Sequence, residues 1–142
     1  MANQTVLFVC IHNSARSQMA EAFLKKFGGD RFDVESAGIE PGILNPIVVQ
    51  VMREIGIDIS QNKTTGVDVL LLAGKTFDYV ITVCDETSAE RCPMFPGKST
   101  RLHWGFEDPG ALTGTAEEKI HKTKEVRDTI EAKVKSFVSR NY

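Results

Sequence analysis

Five residues separate Cys10 from Arg16 in the stretch Cys10-Ile11-His12-Asn13-Ser14-Ala15-Arg16-Ser17. If this stretch turns a strand into a helix, several backbone N–H groups aim at one point, and the helix N-terminus adds its positive dipole end. The planar fork of Arg16 can clamp two oxygens. A cradle of Ile11, His12, Asn13, Ser14, Ala15 and Arg16 suits a tetrahedral oxyanion of the phosphate or arsenate type. The same field acts on the Cys10 sulfur. An ordinary thiol is only a few per cent thiolate at neutral pH; a helix N-terminus and a nearby cation favour the thiolate and make it a nucleophile. Ser17 is placed to donate a hydrogen bond to it, while Asn13 and Ser14 fit a role in holding the loop's shape. A plainer reading competes: a buried thiol at a strand end and an unrelated arginine on the next helix. The spacing alone arises by chance, and only its position between strand and helix favours the nucleophile.

Displacement at an oxyanion requires a proton for the leaving oxygen. Asp108, in Glu107-Asp108-Pro109-Gly110, is the candidate general acid, because Pro109 restricts its backbone. Locally, the same residues read better as an ordinary turn. Cys84 and Cys92 form a second thiol pair with seven residues between them. A change of shape there can bring the sulfurs within disulfide reach, and a position beside the Cys10 loop would let three thiols exchange in sequence. The alternatives are a core thiol with a loop thiol, or a zinc site recruiting His103. The spacing with one histidine is not a usual zinc pattern, so no metal is assigned. His12 and His121 read as solvent-facing, and Trp104 and Phe106 as packing residues around the Asp108 loop.

These residues need elements to hold them. Residues 5–10 form a short apolar run typical of a strand buried on both faces. A helix is expected from Ser17 to Phe27, with Met19, Ala20, Phe23, Leu24 and Phe27 on one face and Gly28-Gly29 as its stop. A second strand covers 32–37. Asn45-Pro46 caps a helix carrying Ile47, Val48, Val51, Met52 and Ile55. A further helix is expected at 67–73, a strand at 77–83, a loop at 85–98 and a short strand at 100–104. The last helix begins at Thr115, with Glu118 completing a capping box. Its apolar stripe is Ile120, Val126, Ile130, Val134, Phe137 and Val138. Alternating strands and helices imply one α/β domain over 1–142, a three-layer sandwich with a central, mainly parallel sheet. Ligands of such sheets sit beyond the carboxyl ends of the strands, where Cys10 and Cys84 fall.

Composition narrows the function classes. The 142 residues are one domain's length, and 42% hydrophobic with 25% charged residues excludes disorder or a coiled coil as the main architecture. The net charge is -2 with no polybasic tract, which leaves no electrostatic footprint for nucleic acid or acidic membrane. The apolar run Val6–Ile11 is too short to span a bilayer and lacks the basic flank of a secretion signal, so a cytosolic location is expected. Three cysteines, an odd count, argue against a structural disulfide framework. A monomer is the default.

The chain resembles thioredoxin-coupled arsenate reductases built on the low-molecular-weight tyrosine phosphatase fold, over nearly its whole length. The resemblance rests on Cys10 through Glu21, on Ser36-Ala37-Gly38, on Cys84 with Cys92-Pro93, and on His103-Trp104-Gly105-Phe106-Glu107-Asp108-Pro109. It implies that Cys10 attacks arsenate held by the loop amides and Arg16 while Asp108 protonates the leaving oxygen. It further implies that Cys84 attacks Cys10 to release arsenite, that Cys92 attacks Cys84, and that thioredoxin reduces the resulting Cys84–Cys92 disulfide. No metal or organic cofactor is implied; phosphate or sulfate would fit the same site. Some positions depart from the family pattern. His12 and Ala15 stand where Gly and often Cys are found, and a positive φ at His12 would restrict the backbone. The Cys84–Cys92 interval is one residue longer than is typical. Some members bind potassium through residues matching Asn13, Glu21 and Ser36, but Thr65 stands where an acidic ligand is expected. The rival activity is hydrolysis of phosphotyrosine by the same Cys10, Arg16 and Asp108. Against it, Gln18 replaces the proline usual in those phosphatases, and Gly110–Gly114 lacks their aromatic residues. A third reading is a non-enzymatic oxyanion or redox sensor, which the presence of Asp108 disfavours.

Overall fold

The computed structural model describes residues 3–85 and 89–140. Four strands, β1 (Gln4–Cys10), β2 (Phe32–Gly38), β3 (Tyr79–Thr82) and β4 (Thr100–His103), form one sheet in the order β2-β1-β3-β4. Every pairing is parallel. The mainly parallel sheet expected from the sequence is therefore wholly parallel. Strand order reverses between β1 and β3, and that switch point is where open α/β sheets open a crevice for ligands.

The helices are α1 (Arg16–Gly28), α2 (Pro46–Arg53), α3 (Val67–Leu72) and α4 (Ala116–Arg140). Period-2 alternation along β1 divides the interior. Val6, Phe8 and Cys10 face a core shared with Met19 and Phe23 of α1, Met52 of α2 and Ile130 and Val134 of α4. Leu7 and Val9 face a second core with Val67 and Leu70 of α3, Phe77, Phe95 and Cys92. Burial on both faces explains why β1 reads as a continuous apolar run.

The caps agree with the sequence. Asn45 Oδ1 accepts from the Ile47 N–H at 2.9 Å with proline at the first helical turn of α2. Thr115 and Glu118 exchange the two bonds of a capping box at α4. The third strand is shorter than the expected 77–83 stretch, because Phe77 leaves the ladder to pack edge-on against Phe95. Trp104 is also a correction: it packs with Phe8 and Phe137 in the first core rather than around the Asp108 loop. Residues 86–88 of the expected 85–98 loop lie outside the described residues. Among the described residues, no helix is long and apolar enough to cross a membrane.

Candidate active site

The turn between β1 and α1 is fixed from behind. The carbonyls of Cys10, Ile11, His12 and Ser14 accept from the backbone N–H groups of Ile39, Glu40, Gly42 and Asn45 respectively. The Ala15 carbonyl accepts from Met19 N–H, and the Asn13 carbonyl from Gln18 Nε2. With each carbonyl turned outward, planar trans peptides turn the N–H groups that follow toward the middle of the loop. Gly38 makes this backing possible: a Cβ there would lie 2.7 Å from Asn13 N and 2.8 Å from Ile11 O. Only a residue without a side chain lets the end of β2 approach the loop so closely.

Asn13 is the pivot. It is fully buried and is the single non-glycine residue with positive φ, at 55°, among the described residues. The strain anticipated at His12 therefore falls one residue later, on a residue type that tolerates the left-handed region. The Asn13 N–H donates to Cys10 Sγ at 3.1 Å. Asn13 Nδ2 donates to Ser17 Oγ at 2.8 Å and to Ser36 Oγ at 2.9 Å. Ser17 Oγ thus accepts from Asn13 and shares a hydrogen bond with Cys10 Sγ at 2.9 Å, in which the hydroxyl is the donor once the sulfur is a thiolate. The Asn13 N–H and the Ser17 hydroxyl both meet the sulfur. Ser14 contributes its carbonyl to the loop's shape. His12 is exposed and engages the Glu40 carbonyl through Nδ1 at 2.7 Å.

Arg16, the first residue of α1, is 4% exposed. One guanidinium nitrogen donates to the Phe106 carbonyl at 3.2 Å, and another lies 3.6 Å from Asp108 Oδ2. Its Nε is buried without a protein partner among the described residues. A buried unsatisfied donor beside converging amides is the chemistry an oxyanion would complete. Asp108 takes the turn-capping place that the local sequence suggests and also lies beside Arg16. Oδ1 caps the turn by accepting from the Gly110 N–H at 2.9 Å, while Oδ2 faces Arg16. Phe106 supplies a carbonyl to the arginine besides packing on the first core.

The three thiols are free and buried, but they do not share one environment. Cys10 and Cys84 lie in the first core. Cys92 lies in the second core, with Leu7 and Val9. Burial pushes the Cys84 thiol up to about 11; Arg16 pulls against that rise, while Cys10 and Asp85 add to it. Burial also raises Cys92, opposed by Arg101. The Arg101 guanidinium holds the Cys92 carbonyl at 3.4 Å and Met94 Sδ at 3.0 Å. Beside Cys92, Arg91 pairs with Glu40, whose own N–H holds the Ile11 carbonyl. The structure therefore brings together Cys10, Arg16, Ser17, Asp108 and Cys84, and sets Cys92 apart.

Sequence reasoning missed the work of three residues. Gly38, Gln18 and Glu40 hold the loop rather than line it, and among these only Gly38 carried a signal, as a glycine ending a strand. The residues matching a family potassium site are spent on one another. Ser36 Oγ donates to Glu21 Oε1, and Glu21 Oε2 pairs with Lys25 Nζ at 2.6 Å. Asn13 Oδ1 accepts from the Thr65 N–H at 2.9 Å. With one carboxylate already neutralised and no second from position 65, this set does not fit a resident cation. Among the described residues, no group of three or more His, Cys, Asp or Glu could hold a metal ion.

Comparison with known proteins follows the same lines. The low molecular weight phosphotyrosine protein phosphatase profile matches residues 5–141. An arsenate reductase of Bacillus licheniformis is 47% identical over 137 residues, covering 96% of both chains. The crystal structure of an arsenate reductase from Archaeoglobus fulgidus superposes with a TM-score of 0.74 at 34% identity, over 95% of this chain and 99% of that one. A thioredoxin-dependent arsenate reductase of Corynebacterium glutamicum superposes with a TM-score of 0.62 at 31% identity, over 94% of this chain and 63% of that one.

Proposed function

The chain belongs to the low-molecular-weight phosphotyrosine protein phosphatase family, within its arsenate reductases, and we propose that it reduces arsenate to arsenite by a three-thiol relay closed by thioredoxin. The observation that carries this reading is the arrangement of Cys10 and Cys84 in one core beside Arg16, with Cys10 at the mouth of the oxyanion loop. Arsenate sits on the inward N–H groups and the Arg16 fork. The Cys10 thiolate attacks arsenic, and the departing oxygen takes a proton from Asp108 and leaves as water. Cys84 then attacks Cys10 Sγ, its thiol proton passing to the departing arsenite oxygen while Arg16 favours the forming thiolate. The electron pair of the sulfur–arsenic bond stays on arsenic, which leaves as arsenite, and a Cys10–Cys84 disulfide remains. Cys92 attacks Cys84, forming Cys84–Cys92 and returning Cys10 as a thiolate. Two electrons pass from the dithiol to each arsenate, and thioredoxin restores the dithiol.

The second exchange requires movement, because Cys84 and Cys92 lie in cores on opposite faces of the sheet. The Cys92 segment must leave the second core, break the Arg101 and Arg91 contacts and cross toward Cys84. A disulfide needs Cα atoms about 4.4–6.8 Å apart.

A second reading, hydrolysis of aryl phosphates through a phosphocysteine, uses the same Cys10, Arg16 and Asp108 and needs neither distal thiol. It is expected as a weak side activity. The test is oxidation of NADPH by thioredoxin reductase and thioredoxin on addition of arsenate. Arsenate-dependent oxidation that vanishes in Cys10→Ser supports the relay. Cys92→Ser should stop turnover yet spare hydrolysis of para-nitrophenyl phosphate; undiminished turnover in that variant would rule the relay out.

A further inference from the structure

Gln18 has no place in the chemistry above, yet it is 1% exposed and uses both ends of its carboxamide. Its Nε2 has three oxygens around it: the Asn13 carbonyl at 3.1 Å, Asn13 Oδ1 at 3.3 Å and the Lys63 carbonyl at 3.1 Å. Its Oε1 accepts from Asn62 Nδ2 at 3.0 Å. Three acceptors at one end and a donor at the other leave no freedom to flip the amide. The same logic fixes Asn13. Its Oδ1 faces the Thr65 N–H and Gln18, so Nδ2 must be the end that faces Ser17 and Ser36. That orientation anchors Ser17 Oγ beside Cys10 Sγ with its hydrogen available to a thiolate, and the left-handed backbone of Asn13 sends its N–H to the same sulfur.

We infer that Gln18 is a positioning residue for the Cys10 nucleophile. It clamps Asn13, and through Asn13 the N–H and the hydroxyl that face the sulfur, to the 62–65 segment. The inference rests on the reading of Cys10 as nucleophile and adds a cause for its environment. A residue held at a φ of 55° needs surroundings that over-determine it, and Gln18 supplies two of the bonds that do so. Without them the Asn13 carbonyl and Oδ1 both lose this donor, and Asn13 is free to relax out of the left-handed region and to turn its Nδ2 away from Ser17, although the His12 carbonyl stays on Gly42.

The test uses the full chain with Cys84→Ser and Cys92→Ser, so that Cys10 is the sole thiol. Gln18→Met keeps the volume and removes every bond. Gln18→Glu keeps the acceptor for Asn62 but turns an anionic oxygen toward three oxygens. The readouts are the rate of Cys10 carboxymethylation by iodoacetate at neutral pH, its protection by inorganic phosphate, and Tm. Gln18→Met should slow carboxymethylation and weaken phosphate protection about tenfold, the scale of a lost buried donor, and Gln18→Glu should do so more. Val134→Ala, a core truncation in α4 far along the chain, controls for lost stability and should leave both rates unchanged. If the Gln18 variants lose no more reactivity than Val134→Ala at equal loss of Tm, Gln18 only packs and the inference is overturned. If phosphate fails to protect Cys10 even with Gln18 intact, the oxyanion-loop reading itself is wrong and the inference falls with it.

Discussion

The Cys10–Arg16 loop and the segment bearing Cys84 and Cys92 are held in opposite ways. In the loop all six carbonyls from Cys10 to Ala15 have protein donors, and the side chains that secure it, Asn13, Gln18 and Ser17, are almost wholly buried. The thiol segment divides its cysteines between two cores, and the ties of its described side chains include an exposed ion pair and an arginine on an edge strand. Exposed pairs of that kind are worth only about 0.2–1 kcal/mol. The contrast fits the chemistry proposed for each part. Stabilising charge on an oxyanion requires donors already in place. Passing a disulfide from one sulfur to another requires the sulfurs to travel. The proposed relay therefore joins a part that must not move to a part that must.

That contrast can be broken at several points. The largest effect belongs to the fixed part. Cys10→Ser should remove arsenate reduction and aryl phosphate hydrolysis together, by at least about a thousandfold, since Cys10 is the thiol that the Asn13 N–H and Ser17 hold within the loop while the Cys84 thiol is held protonated by burial. Steady-state assays of both reactions check this; retention of either would place its nucleophile elsewhere. Gly38→Ala comes next. The added methyl meets backbone atoms at 2.7–2.8 Å and cannot be relieved by a rotamer. A loss of about 1–3 kcal/mol is expected in urea unfolding, with weaker phosphate binding. A neutral result would mean that β2 does not brace the loop.

The pH dependence sharpens the other side. A Cys84 thiol near 11 in the folded chain, against an ordinary 9.0, holds its proton more tightly when folded. Stability is unaffected while both states keep the proton. It falls as pH rises above the ordinary value, because the unfolded chain ionises first, and the loss approaches roughly 3 kcal/mol once the folded thiol titrates. Comparing alkaline urea melts of the parent with Cys84→Ala isolates this contribution, and parallel curves would refute it. The smallest effect lies at the exposed tie. Arg91→Ala or Glu40→Gln should speed formation of the Cys84–Cys92 disulfide by less than about fivefold, the equivalent of a surface ion pair. Rapid-quench thiol trapping after one equivalent of arsenate measures it, and a slower step would show that the pair helps the crossing.

The sequence made the fixed part largely legible. Alternating strand and helix patterns gave the three layers, and β1 announced its double burial by its unbroken apolar run. Cys10, Arg16 and Ser17 carry their chemistry in their types and local spacing. Long-range closeness was harder to read. Nothing local in Gln18 shows that it reaches Lys63, and nothing in Glu40 shows that it meets Arg91, because both depend on how the 38–45 and 62–65 segments fold over the loop. The positive φ falls on Asn13 rather than His12, on a residue type that tolerates it and within a web of backing hydrogen bonds that no local spacing shows. The partition of Cys84 and Cys92 between two cores was also hidden: the order of the cysteines says nothing about the face of the sheet on which each is buried.

The central claim is that a waiting Cys92 crosses from the second core to take the disulfide from Cys10. The most direct measurement treats the fully reduced protein with one equivalent of arsenate, without thioredoxin, blocks free thiols with acid quench and alkylation, and maps disulfides by mass spectrometry of non-reduced peptides. The account predicts one arsenite released per chain, a Cys84–Cys92 disulfide and an alkylated Cys10. Arsenite release that leaves Cys92 alkylated, with Cys10 held in the final disulfide, would contradict it.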